Sequence, residues 1–155
     1  MNYTFRKAVK QDAGRINQLF IEMMQTIRGD KSVNGYPDGY LDKFFDSRDE
    51  WIAVATDNDE IIAFLSIEVH HEDKEYIYLD DLSVTNRHRN NGIGTKLIKI
   101  AESYAGEINI STICFHVEKT NTNALRLYHR LGYKIHQDQT TRYLMIKHLE
   151  QNNDY

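Results

Sequence analysis

The residues best equipped for chemistry lie together. Arg87, Arg89, Asn90, Asn91, Gly92, Ile93, Gly94 and Thr95 follow directly on the apolar run from Tyr76 to Thr85. That run is rich in β-branched and aromatic residues, which suit a pleated, half-buried strand. Gly92 and Gly94 then open a stretch carrying Ile93, Leu97, Ile98, Ala101 and Tyr104 at helical spacing. A helix start leaves N–H groups without intrahelical partners and carries partial positive charge. Glycine lets an anion approach those groups with no Cβ in the way. Arg87 and Arg89 add fixed positive charge beside them. The combination is a device for holding a diphosphate, although glycines after a strand also serve as plain turn residues. Two rival glycine motifs do not fit. A dinucleotide fingerprint needs a third glycine where Leu97 stands. A P-loop needs Gly-Lys-Ser/Thr, and the order here is Gly94-Thr95-Lys96.

A second group is the acidic pair Asp80 and Asp81, inside the apolar run. Adjacent strand residues point to opposite faces. A carboxylate buried in such a strand is costly without a partner. One of them, Asp80 preferred, is therefore expected to face an amine. The competing expectation is a structural ion pair with Arg87 or Arg89. Glu68 and Glu118 are reserve bases. A third group is the segment from Asn121 to Tyr133. Asn121 and Asn123 suit a helix start. Ala124, Leu127 and Leu131 recur at core spacing, and Gly132 suits the left-handed residue that closes a helix. Tyr128 lies on this helix with a phenol to offer, or as a core ring. His70, His71 and His116 do not make a zinc set, because adjacent strand residues diverge and no helical His pair accompanies them. Cys114 lies mid-strand in an apolar run and reads as core rather than nucleophile.

The elements that must position these groups are legible from periodicity. A first strand is expected over 4–9. Asp12 then caps a helix with Ile16, Leu19, Phe20, Met23 and Ile27 on one face, ended by Gly29-Asp30. A short helix follows around Leu41, Phe44 and Phe45. Strands at 51–55 and 61–69 form a hairpin about the turn 57–60. A turn at 71–75 leads to the central strand and the glycine helix. A strand at 108–117, a helix at 120–131 and strands at 133–136 and 140–148 complete the order βααβββαβαββ. This predicts an α/β (α+β) fold, a mixed sheet of about seven strands with four helices. Residues 1–150 read as a single domain and 151–155 as a frayed tail.

Composition sets further bounds. With 19 basic and 23 acidic residues the net charge is −4, which argues against a general nucleic-acid binder. No run approaches the ~18 apolar residues that span a bilayer, so no membrane partner is expected. A single cysteine allows no intrachain disulfide. The N-terminus reads as a strand rather than a signal peptide, and a cytoplasmic location is expected.

Arg89-Asn90-Asn91-Gly92-Ile93-Gly94 resembles the coenzyme-binding motif of the GNAT acyltransferase superfamily, Arg/Gln-x-x-Gly-x-Gly/Ala. Asn121, Ala124, Leu127 and Tyr128 resemble that family's Asn-x-x-Ala-x-x-Leu-Tyr segment, and the element order matches along essentially the whole chain. Asn91 departs slightly, standing where glycine or a charged residue is common; asparagine tolerates αL geometry.

The resemblance implies a splayed pair of central strands and acetyl-CoA as cosubstrate. It implies that backbone groups of Leu82, Ser83 and Val84 bind the pantetheine arm and acyl oxygen. It implies that Tyr128 lies near the coenzyme sulfur as the acid for the leaving thiolate. The loop with Tyr36, Pro37, Asp38, Gly39, Tyr40 and Asp42 would build the acceptor pocket, and aromatic plus acidic residues suit a cation. The acidic pair resembles that of polyamine, aminoglycoside or streptothricin acetyltransferases. The expected function is acetyl transfer from acetyl-CoA to a primary amine of a cationic small molecule. A protein or peptide N-acetyltransferase and a non-catalytic acetyl-CoA-binding module are the alternatives. Pairing of the exposed final strands into a homodimer is also implied.

Overall fold

Seven strands join in one sheet in the order β1-β2-β3-β4-β5-β7-β6. They are β1 (Tyr3–Lys7), β2 (Trp51–Asp57), β3 (Glu60–His70), β4 (Tyr76–Val84), β5 (Thr112–Glu118), β6 (Lys134–Asp138) and β7 (Arg142–His148). The helices are α1 (Ala13–Arg28), α2 (Asp42–Asp46), α3 (Ile93–Glu107) and α4 (Thr122–Arg130). This computed structural model describes residues 2–29 and 33–150. Asp30 and the tail at 151–155 lie outside the described residues. The mixed sheet and element order are those read from the sequence. All strand pairs are antiparallel except β4 with β5.

Each face of the sheet is covered by its own helices. On one face α3 buries Ile93, Leu97, Ile98, Ala101 and Ala105 against Ile77, Leu79, Ile113, Phe115 and Met145. Full burial of one such aliphatic side chain is worth about 1.5–3 kcal/mol, so α3 is a main anchor of the fold. On the other face Ile16 and Leu19 of α1 and Phe44 of α2 pack on Ile52, Val54, Ile61 and Phe64. The β2–β3 hairpin turns through Asn58 (φ 50°) and Asp59 (φ 69°), both left-handed, as a tight two-residue turn requires.

Several local expectations are corrected. The first strand ends at Lys7, and β5 begins at Thr112 because Asn109 (φ 60°) turns the chain. Asp12 does not cap α1. It closes a 3₁₀ turn over Lys10–Asp12, accepting from the Val9 N–H at 2.8 Å and from Arg6 at 2.7 and 3.1 Å. On α4 the residues against the core are Ala124, Leu125, Tyr128 and Leu131, not Leu127. The helix rolls so that the Tyr128 ring, rather than Leu127, seats edge-on against Phe115 at 4.5 Å between centroids.

Candidate active site

The acidic pair is governed by an irregularity in β4. Leu82 stands opposite Leu65 and Leu79 opposite Ile67, so three steps on β4 match two on β3. This is a β-bulge, and it places Asp80 and Asp81 together across from Ser66. Alternation then shifts by one. Ile77, Leu79, Leu82 and Val84 all belong to the α3-side core. Ser83, whose hydroxyl donates to the Leu19 carbonyl of α1 at 3.4 Å, faces the other side. The expectation that Asp80 and Asp81 diverge is therefore wrong. Both face the α1–α2 side, and neither pairs with Arg87 or Arg89.

Two tyrosines from the α1–α2 loop meet them. The Tyr36 hydroxyl donates to Asp81 Oδ2 and the Tyr40 hydroxyl to Asp80 Oδ2, each at 2.6 Å. Their rings stack at 4.8 Å, and Phe20 stacks on Tyr36 at 3.8 Å. Burial, reinforced by the neighbouring Asp80 charge, raises the Asp81 carboxyl to about 6 against the Tyr36 hydrogen bond. Asp80 is also raised, by burial first. Near-neutral affinity for a proton is what a group accepting one from an amine needs. Glu68, across from Tyr78, is engaged by Lys43 and His70, each at 3.0 Å. Glu118 ends β5 on the cleft wall.

The cleft itself arises from the parting of β4 and β5. They pair only at Ile77 with Ile113 and Tyr78 with Cys114. Beyond that point the strands diverge around a cleft of about 580 Å³. It runs from Asp80 and Asp81, past Tyr78 and His116, to Phe115 and Tyr128 on the far side of the sheet. The β5-facing edge of Leu82, Ser83 and Val84 has no ladder partner there, which suits an amide-bearing arm. Met23, Met24 and Ile27 of α1 line the mouth, and Ile27 is 53% exposed.

At the other end of β4 the chain makes a 3₁₀ turn over Asn86–His88 and enters α3 through Gly92. Asn90 (φ 65°) and Gly92 (φ 75°) are left-handed, so the αL residue expected at Asn91 is one position earlier. The Asn91 side-chain amide instead donates to the carbonyls of His88 and Arg89, at 3.0 and 3.1 Å. Arg89 Nε reaches back to the Val84 carbonyl at 3.3 Å. His88 is clasped between Thr85 Oγ1 (2.8 Å) and Asp57 Oδ2 (3.1 Å), which ties the turn to the β2–β3 hairpin. No side chain caps α3, and the first helical bond is Lys96 N–H to Gly92 carbonyl at 3.1 Å. The N–H groups of Ile93, Gly94 and Thr95 thus have no acceptor among the described residues. A Cβ at Gly92 would meet nothing within 4 Å, and one at Gly94 would touch Leu82 at 3.8 Å. Open space, free donors and the exposed Arg87 and Arg89 fit a diphosphate.

Asn121 caps α4, its side chain accepting from the Ala124 N–H at 3.3 Å. Tyr128 borders the cleft with its hydroxyl unbonded among the described residues, and burial pushes it up to about 12. Periodicity did not reveal Tyr78 and His116, which share a 2.5 Å hydrogen bond at the point where the strands part. Burial, with the nearby Arg142 charge, lowers His116, and burial raises Tyr78 to about 12. Both are thus neutral at pH 7. The signal was an apolar strand bearing polar groups on one face: Tyr78, Asp80, Asp81 and Ser83. His71 lies apart, between Asp49 and Glu75 at 2.6 Å each. Cys114 is buried and its thiol raised to about 11, as a core cysteine should be.

Residues 20–133 match the model of the acetyltransferase (GNAT) family. An uncharacterized N-acetyltransferase of Bacillus subtilis, YhfO, is 27% identical over 132 residues, spanning 83% of this chain and 88% of that protein. Arabidopsis thaliana NAA60, solved with a bisubstrate analogue, superposes with a TM-score of 0.80 at 18% identity, covering 97% of this chain and 100% of the other. A Bacillus anthracis protein described as a streptothricin acetyltransferase, solved with acetyl coenzyme A, gives 0.74 at 17% identity over 97% and 99%. The chain belongs to the GNAT acetyltransferase family, as an acyltransferase with acetyl-CoA for cosubstrate.

Proposed function

We propose that the chain transfers the acetyl group of acetyl-CoA to a primary amine of a small, cationic molecule, with polyamine- or aminoglycoside-like amines fitting the acidic site. The observation that carries this is the bulge. It turns both Asp80 and Asp81 toward one face of a cleft that continues through the sheet to Tyr128. The carboxylates hold the ammonium, and Asp81, raised by burial, takes its proton. The neutral amine attacks the acyl carbon, its new C–N bond replacing the C–S bond, and the excess proton on the nitrogen passes to the departing thiolate, which leaves as the thiol. The N–H groups of Ile93 to Thr95, with Arg87 and Arg89, hold the diphosphate, while Leu82, Ser83 and Val84 bind the arm through backbone. A thiol loses its proton near pH 8.5, and Tyr128 stays protonated to about 12. Tyr128 therefore acts by donating a hydrogen bond to the departing sulfur, with full proton transfer uphill.

Among the described residues no helix is long and apolar enough to cross a membrane. The reading places the enzyme in the cytoplasm, where acetyl-CoA and a free buried thiol both belong. β6, at the open edge of the sheet, is the strand through which two copies would pair.

The test is thiol release from acetyl-CoA with polyamines, aminoglycosides, amino acids and peptides, using wild type, Asp80→Asn and Asp81→Asn. Turnover of a small amine is expected, with kcat/KM falling roughly 10²-fold or more in Asp81→Asn. Turnover of peptides alone, or equal rates in all three proteins, would overturn it.

A further inference from the structure

The cleft that holds the acidic pair is lined by basic residues as well. Arg142, the first residue of β7, stands directly across the ladder from Glu118. Even so, no carboxylate forms an ion pair with it among the described residues. Its Nε donates to Gln139 Oε1 at 3.1 Å, which steadies the guanidinium and leaves both terminal nitrogens free. Arg28, in the last turn of α1, lines the same cleft. The Tyr78–His116 pair lines the same cleft. The Tyr78 phenol feels both the Asp80 and the Arg142 charges, and the His116 ring feels Arg142. Arg142 and the acidic pair thus line one cleft, with Tyr78 in the field of both.

A molecule bearing only ammonium groups would meet Arg142 as a repulsive neighbour. A molecule with a carboxylate close to its reacting amine would satisfy Arg142 and the acidic pair at once. A guanidinium with two free terminal nitrogens matches a carboxylate in a bidentate manner that a single ammonium does not. We infer that the acceptor is an amino acid, most simply a basic one, with its amine at Asp80 and Asp81 and its carboxylate on Arg142. This rests on the acceptor reading above and narrows it: a basic amino acid is still a cationic small molecule. Acetylation then falls on the amine adjacent to the carboxylate.

Matched pairs that differ only in that carboxylate test the assignment: lysine with cadaverine, and ornithine with putrescine. Steady-state thiol release with acetyl-CoA is measured for wild type, Arg142→Gln and Arg142→Lys, and the acetylated nitrogen is located by NMR. Wild type is expected to favour the amino acid by roughly 10-fold or more in kcat/KM, the scale of a charged hydrogen-bonded pair in a cleft. Product should carry the acetyl group on the α-nitrogen. Arg142→Gln should bring the ratio to about 1, mainly through KM, and Arg142→Lys should restore part of it. A wild-type preference for the diamines, a ratio unmoved by Arg142→Gln, or acetylation at the distal nitrogen overturns the arginine arm while leaving the acidic site standing. Failure of both members of each pair overturns the amino-acid assignment, and failure of aminoglycosides as well overturns the acceptor reading.

Discussion

Replacing Asp81 by Asn should make the protein more stable and much less active. The Asp81 carboxyl rises from 3.8 to about 6, first through burial and then through the Asp80 charge. That difference corresponds to about 3 kcal/mol against the ionised form in the folded state. The sign follows from proton counting. Between pH 4 and 6 the folded protein keeps a proton that the unfolded chain has already lost, so stability falls as pH rises through this window. Above about 6 both states are ionised and the penalty is constant. Asn keeps an oxygen to accept from Tyr36, whose 2.6 Å bond need not break. Its unmatched amide hydrogens return about 1 kcal/mol, which leaves a net gain of about 2 kcal/mol at pH 8. For a chain of this size that is roughly 4–8 °C in Tm. Calorimetry of both proteins at pH 4, 5, 6, 7 and 8 should show the variant slightly below wild type in Tm at pH 4, where the amide cost of about 1 kcal/mol outweighs the small charge penalty, with the two crossing before pH 5. The gap should open between pH 4 and 6 and then stay level. The combination of higher stability and lost turnover would mark Asp81 as a group kept for chemistry at the expense of the fold. A variant no more stable than wild type at pH 8, or a gap with no pH dependence, refutes the buried, proton-hungry carboxylate.

Three other substitutions separate the remaining parts. Gly92→Ala places a Cβ at φ 75° and should cost about 1 kcal/mol of stability, with a several-fold rise in KM for acetyl-CoA and little change in that for the amine. Tyr128→Phe keeps the ring on Phe115 and removes a hydroxyl without an intrachain partner. Tm should move by no more than about 2 °C while kcat drops roughly 10-fold or more, with KM for both substrates near wild type. His88→Ala breaks the clasp from Thr85 to Asp57; the turn loosens, and isothermal calorimetry should record weaker coenzyme A binding, whereas His88→Gln, which can still reach one partner, should recover part of it.

Much of this was legible along the chain. Ile93, Leu97, Ile98 and Ala101 announce α3 because a helix repeats every 3.6 residues, and the structure buries those same side chains. The glycine turn was readable for a similar reason: left-handed geometry and free N–H groups are local properties of a few consecutive residues. The bulge was written in the spacing of Ile77, Leu79, Leu82 and Val84, where one interval of three interrupts intervals of two. Taken alone, that interval gives no reason to prefer a bulge over a strand end, so strict alternation sent Asp80 and Asp81 apart.

What the residues determined by themselves is therefore the set of elements, their order, and the glycine-marked, donor-rich entrance of α3, since backbone preference and side-chain period act over neighbouring positions. Only the tertiary structure decided the surroundings of Asp80 and Asp81. Tyr36 meets Asp81 across 45 residues and Tyr78 meets His116 across 38. Those meetings exist because β4 and β5 part after two paired positions while α1 and its loop close over one face. Burial, and with it the proton affinity of Asp81, is a sum over everything packed around a side chain, which no local pattern contains.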